Sequence, residues 1–171
     1  MKCYKLVFIF FLLLGCSGRD NEDFFATRSA LDIEGMMEQI AYWQWEEKQL
    51  TDIPYQTDGI VDLDTAIEIR RQVFREIETD MSQKSQIFPT SAEVETLGRA
   101  VCVGYAVLIY KRLRDANFPD NNIGIIRYWN HCVAFVEIGE DIYYLDSYGV
   151  IKNREHKNPV IAFNLFGAWI L

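Results

Sequence analysis

The sequence predicts an α+β fold in which N-terminal helices pack on an antiparallel sheet. Apolar residues recur at helical spacing from about residue 26 to residue 114, whereas from residue 123 they fall in short runs with the alternation of strands. Gly139 and Glu140 separate two of these runs, as expected of a two-residue hairpin turn with glycine first. Because the helices come first and the strands later, we expect an α+β architecture rather than alternating strand-helix units.

Residues 1–15 have the pattern of a secretory signal. Two lysines precede an unbroken apolar run over residues 6–14, which is shorter than the about 20 residues that span a bilayer. The run closes on LLGC, which resembles the lipobox of bacterial lipoproteins, in which the cysteine is lipidated. We therefore expect Cys16 to carry a lipid anchor in the cell envelope. An ordinary cleaved signal with Cys16 incidental is the alternative.

The mature chain is expected to be a short tether followed by one domain. Residues 16–25 are polar and acidic, and residues 26–171 suffice for a domain with its own core. Removing residues 1–15 takes two lysines away and lowers the formal net charge from −8 to about −10. So acidic a surface repels nucleic acid and anionic lipid headgroups. We expect no nucleic-acid partner and membrane contact only through the lipid anchor; the oligomeric state is unknown.

Helical spacing predicts four helices: residues 26–50, a helix from Asp62 or Asp64 to Met81, residues 91–96, and a helix that begins at Cys102. Asp64 is the expected cap of the second helix, and Gly98 is expected to end the third. Basic residues near position 113 suit the C-terminus of the fourth helix.

Alternation predicts four strands: residues 123–129, 131–138, 142–146 and 160–165. The glycine-first turn pairs Ile138 with Asp141, so that Asp146 lies opposite Val133. His131 and Val133 share a face, which makes His131 and Asp146 diagonal neighbours within reach of each other. A four-residue loop would place them directly opposite, and a three-residue loop would put them on opposite faces.

The chain has two histidines, and their surroundings differ. His156 lies in the polar segment KNREHKNP and is expected to be a solvated loop residue. His131 opens an apolar strand, an unusual place for an imidazole unless a partner holds it. A carboxylate such as Asp146 would fix its tautomer and stabilise its protonated form, as in hydrolase triads. The alternatives are a structural histidine and an aspartate that merely begins the turn to Gly149.

Cys102 is expected at the first turn of an apolar helix, directly after a glycine turn. Free backbone N–H groups and the helix dipole favour the thiolate there, and a neighbouring histidine favours it further. The N–H of Cys102 itself would be one donor for an oxyanion. Gly98 and Gly104 would leave room for a substrate backbone.

A disulfide between Cys102 and Cys132 is the competing interpretation for an exported protein. Strand alternation puts Cys132 on the face opposite His131. A Cys102 that contacts His131 should therefore not reach Cys132, and the two pairings exclude each other.

Three segments together resemble the transglutaminase-like branch of the papain-like cysteine proteinases, and they are most similar to bacterial transglutaminase-like cysteine proteinases. They are TLGRAVCVGYAVLIYKRL, IGIIRYWNHCVAFVEI and IYYLDSYG, within residues 90–150. The resemblance implies a papain-like (transglutaminase-core) fold, with Cys102 as nucleophile, His131 as general base and Asp146 as its orienting acid. It also implies a protein or peptide substrate, peptide or isopeptide hydrolysis, and no metal or organic cofactor.

The sequence departs from this family beside the cysteine. The family usually carries acidic residues there, whereas this chain has Val101, Val103 and Gly104, so no calcium ligand is carried over. The side-chain oxyanion donor of the family is not identified either. A catalytically inactive surface lipoprotein that acts as a binding module is the alternative function, and transamidation by the same triad is a third.

Overall fold

The chain forms a mixed α+β structure. The computed structural model describes residues 33–50, 54–80, 88–128, 131–153 and 161–170, and within these it contains four helices and a six-stranded antiparallel sheet. The predicted signal, the tether with Cys16, and the loop with His156 lie outside the described residues. No helix in the described ranges is long and apolar enough to span a membrane.

The elements follow the predicted order of helices before the main sheet. The helices are α1 (Ile33–Leu50), α2 (Leu63–Glu76), α3 (Ser91–Leu97) and α4 (Cys102–Asp115). The strands are β1 (Glu78–Thr79), β2 (Arg99–Ala100), β3 (Ile123–Arg127), β4 (Cys132–Ile138), β5 (Asp141–Asp146), β6 (Gly149–Lys152), β7 (Ile161–Asn164) and β8 (Gly167–Ile170). The main sheet has the order β6-β5-β4-β3-β7-β8, while β1 and β2 form a separate parallel pair.

The ends of the helices correct one prediction and confirm another. Asp62, not Asp64, caps α2, because its carboxylate accepts a hydrogen bond from the backbone N–H of Thr65 at 2.8 Å. Asp64 is the second residue of the helix, where it adds negative charge to the first turn. Gly98 ends α3 in the left-handed conformation, with φ 63°, as predicted.

The main core lies between the helices and one face of the sheet, with α4 at its centre. Almost the whole circumference of α4 is buried from Val103 to Tyr110, which explains the nearly continuous apolar sequence there. The opposite face of the sheet buries a smaller set of side chains: Ile126, Val133, Phe135, Tyr144 and Ala162. Apolar side chains therefore cover both faces of the central strands.

The β4–β5 hairpin has the predicted register. Ile138 pairs with Asp141 and Ala134 pairs with Leu145. Gly139 has φ 63° while Glu140 has no positive φ, which fits a turn with glycine at its first central position. This turn brings the end of β5, at Asp146, beside the start of β4.

Candidate active site

Cys102 is the first residue of α4, and the strand before it is held by backbone pairing. Pairing of β2 with β1 ties the approach to α4 to the end of α2. Val101 is the N-cap but makes no side-chain cap hydrogen bond, whereas α2 and α3 are capped by the side chains of Asp62 and Thr90. The first N–H groups of α4 therefore lack the usual side-chain acceptor beside the Cys102 thiol.

Gly104 serves packing rather than substrate access, which corrects the prediction. A Cβ at this position would lie 2.7 Å from the Cβ of Ala100 and 3.2 Å from a methyl carbon of Val94. The missing side chain lets α4 approach α3 and β2 closely. No atom lies within 4 Å of a Cβ built at Gly98, whose positive φ is required by the turn.

His131 and Asp146 are hydrogen-bonded to each other. Nε2 of His131 lies 3.0 Å from Oδ2 of Asp146, whose side chain is almost completely buried. His131 immediately precedes β4 and Asp146 ends β5, so the confirmed register of the hairpin brings them together. With Nε2 directed at the carboxylate, Nδ1 is the ring nitrogen left for another partner.

The Cys102 thiol contacts His131, and the ionisation of both groups shifts accordingly. Burial of the sulfur favours the neutral thiol. This effect is outweighed by hydrogen bonds from His131 and from the backbone N–H of Cys132, together with the charges of His131 and Arg127. The pKa of Cys102 therefore falls below its ordinary value. The hydrogen bond to Cys102, with a further one to Asp146, raises the pKa of His131 despite burial. These opposite shifts favour a thiolate-imidazolium pair.

Asp146 is held as a carboxylate by several neighbours. Burial works against its charge, but hydrogen bonds from His131, from Ser147 and from the backbone N–H of Tyr148 keep the pKa of Asp146 below its ordinary value. Arg70, from α2, donates hydrogen bonds to the backbone oxygens of Asp146 at 2.5 Å and of Ser147 at 2.9 Å. The turn that carries the acid is thus fixed from a separate helix.

Cys102 and Cys132 are both free thiols, so the predicted exclusion of a disulfide holds in this structure. The geometric reason given for it is wrong, because Cys102 lies beside both His131 and the backbone N–H of Cys132. His131 lies just outside β4, and strand alternation therefore does not fix its direction relative to Cys132. Cys132 itself belongs to the core cluster that contains α4.

A groove of about 920 Å³ lies next to the start of α4. Its wall includes Val101 and Val103, which flank Cys102 in the chain, and the exposed side chains of Trp45, Leu50 and Leu97. Glu46 and Glu93 add negative charge to it. The groove thus offers apolar surface close to the segment that carries the candidate nucleophile.

Two side chains around the site were missed by sequence reasoning: Arg70 and Arg127. A third neighbour, Tyr128, stacks its ring on that of His131, with centroids 6.2 Å apart. The two arginines did leave a signal, since each interrupts an otherwise apolar pattern, in the inward stripe of α2 and in β3. That signal indicates a buried polar partner without identifying it.

Comparisons with known proteins assign no family to the chain. Neither a scan against protein-family models nor a search of curated proteins found a match. Among the described residues, no group of three or more His, Cys, Asp and Glu side chains is arranged to hold a metal ion. The resemblance to transglutaminase-like cysteine proteinases stays a prediction.

Proposed function

We propose that this protein is a thiol-dependent acyl-transfer enzyme that hydrolyses peptide or isopeptide bonds. The observation that carries the proposal is the continuous set of contacts from Cys102 through His131 to Asp146. A nucleophile, a base and a group that orients the base are the components of this chemistry. Burial of Asp146, together with half-burial of Cys102, adds a partly desolvated setting in which charge interactions are stronger.

The first half of the reaction forms a thioester. The Cys102 thiolate attacks the substrate carbonyl carbon, and the carbonyl oxygen becomes an oxyanion. The imidazolium of His131 then gives its proton to the leaving amine as the carbon–nitrogen bond breaks. Asp146 keeps the imidazole oriented and stabilises its positive charge.

The second half of the reaction returns the enzyme to its starting state. His131 removes a proton from a water molecule, which attacks the thioester carbonyl. The carbon–sulfur bond breaks, the acid product leaves, and the proton on His131 restores the thiolate-imidazolium pair. An amine in place of this water would give transamidation, which uses the same residues.

The start of α4 supports oxyanion binding. The N–H of Cys102 lies at the N-terminus of a 14-residue helix whose cap residue makes no side-chain hydrogen bond. Such N–H groups, together with the positive end of the helix dipole, stabilise a developing negative charge. The donor and the nucleophile then come from the same residue, which fixes their relative position.

The proposal includes an exported, lipid-anchored protein that acts in the cell envelope on a protein or peptide. It rests on the signal-like residues 1–15, the LLGC motif and the acidic tether. In this setting the domain lies in the aqueous part of the cell envelope, and a protein or peptide substrate there has access to the groove beside α4.

Labelling with an electrophilic peptide probe tests the proposal. We expect the full-length protein to react at Cys102 at neutral pH, and Cys102→Ala to abolish the reaction. Cys132→Ala is the matched control, because it removes the neighbouring thiol and should leave labelling at Cys102. Peptide mapping by mass spectrometry identifies the labelled position.

Two outcomes would overturn the proposal. Labelling that persists in Cys102→Ala removes this thiol from the mechanism. A folded wild-type protein whose Cys102 reacts only above about pH 8, as ordinary thiols do, favours the inactive binding module instead.

A further inference from the structure

Arg127 is a buried arginine that has no acidic partner among the described residues. It ends β3 and its residue surface is 7 % exposed. Arg114 is equally buried but forms an ion pair with Asp120, with Nε 2.6 Å from Oδ1. No described carboxylate makes such a pair with Arg127, and its Nε has no hydrogen-bond partner in the described structure.

Two described neighbours of the Arg127 guanidinium are a sulfur atom and an aromatic ring. Nη1 donates to Sγ of Cys132 at 3.4 Å, and the guanidinium lies 5.7 Å from the centroid of the Phe88 ring. Burial raises the pKa of the Cys132 thiol to about 11, so this sulfur is neutral at physiological pH. Neither neighbour therefore supplies the negative charge that a buried guanidinium requires.

A negative charge does arise nearby when Cys102 ionises. The backbone N–H of Cys132 contacts the sulfur of Cys102, and the side chain of Cys132 contacts Arg127. One residue of β4 thus joins the guanidinium to the nucleophile. The charge of Arg127 also acts on Cys102 in the direction that favours the thiolate.

We propose that Arg127 is a positioning residue of this site: its buried guanidinium is the fixed cation that stabilises the Cys102 thiolate. Arg127 and Cys102 both contact Cys132, which lies between them. The inference rests on the proposed function, because it requires Cys102 to work as a thiolate. It adds a residue outside the Cys102, His131 and Asp146 set. Unlike His131, Arg127 keeps its charge at every stage of the reaction.

The other ionisable groups that face Cys102 are few. His131 contacts it from the segment before β4, and Cys132 approaches it from β4 itself. Asp146 of β5 acts on it through His131. Removal of Arg127 leaves the contact between His131 and Cys102 in place, so it should change the pKa of Cys102 without breaking that pair.

The test is the pH dependence of Cys102 alkylation by iodoacetamide in the full-length protein, with peptide mapping to isolate Cys102. Arg127→Met removes the charge but keeps an unbranched side chain. We expect the midpoint of the pH dependence of Cys102 alkylation to rise by about one pH unit in this variant. Below the midpoint this corresponds to a roughly tenfold slower reaction. Arg127→Lys keeps a positive charge and should restore most of the wild-type midpoint.

Arg114→Lys is the matched control, since Arg114 has the same side chain and burial at the opposite end of α4, about 18 Å from Cys102 along the helix axis. It should leave the midpoint unchanged. An unchanged midpoint in Arg127→Met, or an equal rise in Arg127→Lys and Arg127→Met, overturns the inference while the proposed function stands. A wild-type midpoint at the ordinary thiol value instead overturns the proposed function. If Arg127→Met does not fold, Arg127→Gln, which removes the charge but keeps hydrogen-bond donors, takes its place and should raise the midpoint in the same direction.

Discussion

His131 is held between two partners that both favour its charged form. Asp146 binds Nε2 at 3.0 Å and Cys102 contacts the ring from the other side. The raised pKa of His131 and the lowered pKa of Cys102 both move the pair toward its charged form. Reactivity is lost as the pH falls through the pKa of Cys102, because the thiolate is then protonated.

Asp146→Asn should therefore slow the reaction of Cys102 and move its pH dependence upward. Without the carboxylate, the pKa of His131 falls, the imidazolium is less populated at neutral pH, and the pKa of Cys102 rises. We expect turnover or probe labelling to drop about 10³-fold at pH 7. Rates measured from pH 5 to pH 9 reveal both effects.

Asp141→Asn is the control for this experiment. Asp141 begins the same strand and pairs with Lys152 at 2.7 Å on the surface. Its removal should change neither the rate nor the midpoint. An Asp146→Asn protein with the wild-type profile would show that the carboxylate has no role in the reaction.

At the scale of elements, α2 supports the site from outside the sheet. Arg70 donates to the oxygens of Asp146 and Ser147, and its guanidinium lies 5.0 Å from the centroid of the Phe74 ring. Phe74 in turn stacks on Tyr105 of α4, with centroids 4.3 Å apart. One face of α2 therefore contacts both the acid turn and the helix of the nucleophile.

Arg70→Met should reduce probe labelling of Cys102 about tenfold, because the turn that carries Asp146 loses two hydrogen bonds to its carbonyl oxygens. Arg71→Met is the matched control, since Arg71 is exposed and its ion pair in the described structure is with Glu68 on the surface. Labelling rates are compared together with thermal unfolding. Equal labelling in both variants would mean that Arg70 does not position the acid.

Gly104→Ala should lower the free energy of unfolding by about 1–2 kcal/mol, although alanine is the better helix former. The added Cβ would lie 2.7 Å from that of Ala100. Gly167→Ala is the control, since no atom lies within 4 Å of its added Cβ and its φ is ordinary. Urea unfolding followed by circular dichroism measures both, and equal stability would contradict the close packing of α4.

Particular elements show how much of the fold and of the site could be predicted from the sequence. Gly98 and the Gly139 turn obey local rules, and they sufficed to place the start of α4 and the register that joins His131 to Asp146. The strands β6 and β8 have four residues each and both begin with a glycine, which leaves three side chains from which alternation could be read. The partners of Arg70 lie 76 and 77 residues away in the chain, and only tertiary structure brings them together.

At the scale of the whole molecule, the chain combines an acidic surface with a site that concentrates positive groups. The formal net charge is −8, whereas Arg127 and His131 lie around the Cys102 sulfur. Arg127 and His131 thus favour the thiolate although the chain as a whole is acidic. We expect the acidic net charge to repel polyanions.

Cys16→Ser should release the protein from membranes if the LLGC motif directs lipidation. A single lost thiol removes the attachment point for the acyl chains, and the acidic domain has no attraction of its own for anionic lipid. Cell fractionation with detection of the full chain measures the distribution. Cys3→Ser, within the predicted signal, is the control and should leave the protein in the membrane fraction.

The parallel pair β1–β2 anchors the entry to α4 on the residues that follow α2, and the Tyr105 hydroxyl adds a 2.8 Å hydrogen bond to the oxygen of Ile77. Together with the hydrogen bonds of Arg70, these contacts mean that α2 positions both the helix that carries Cys102 and the turn that carries Asp146. A random mutant library can be sorted first for variants that fold and then for folded variants that do not react with the electrophilic probe. These variants should be enriched in substitutions along α2, which precedes Cys102 by more than 20 residues.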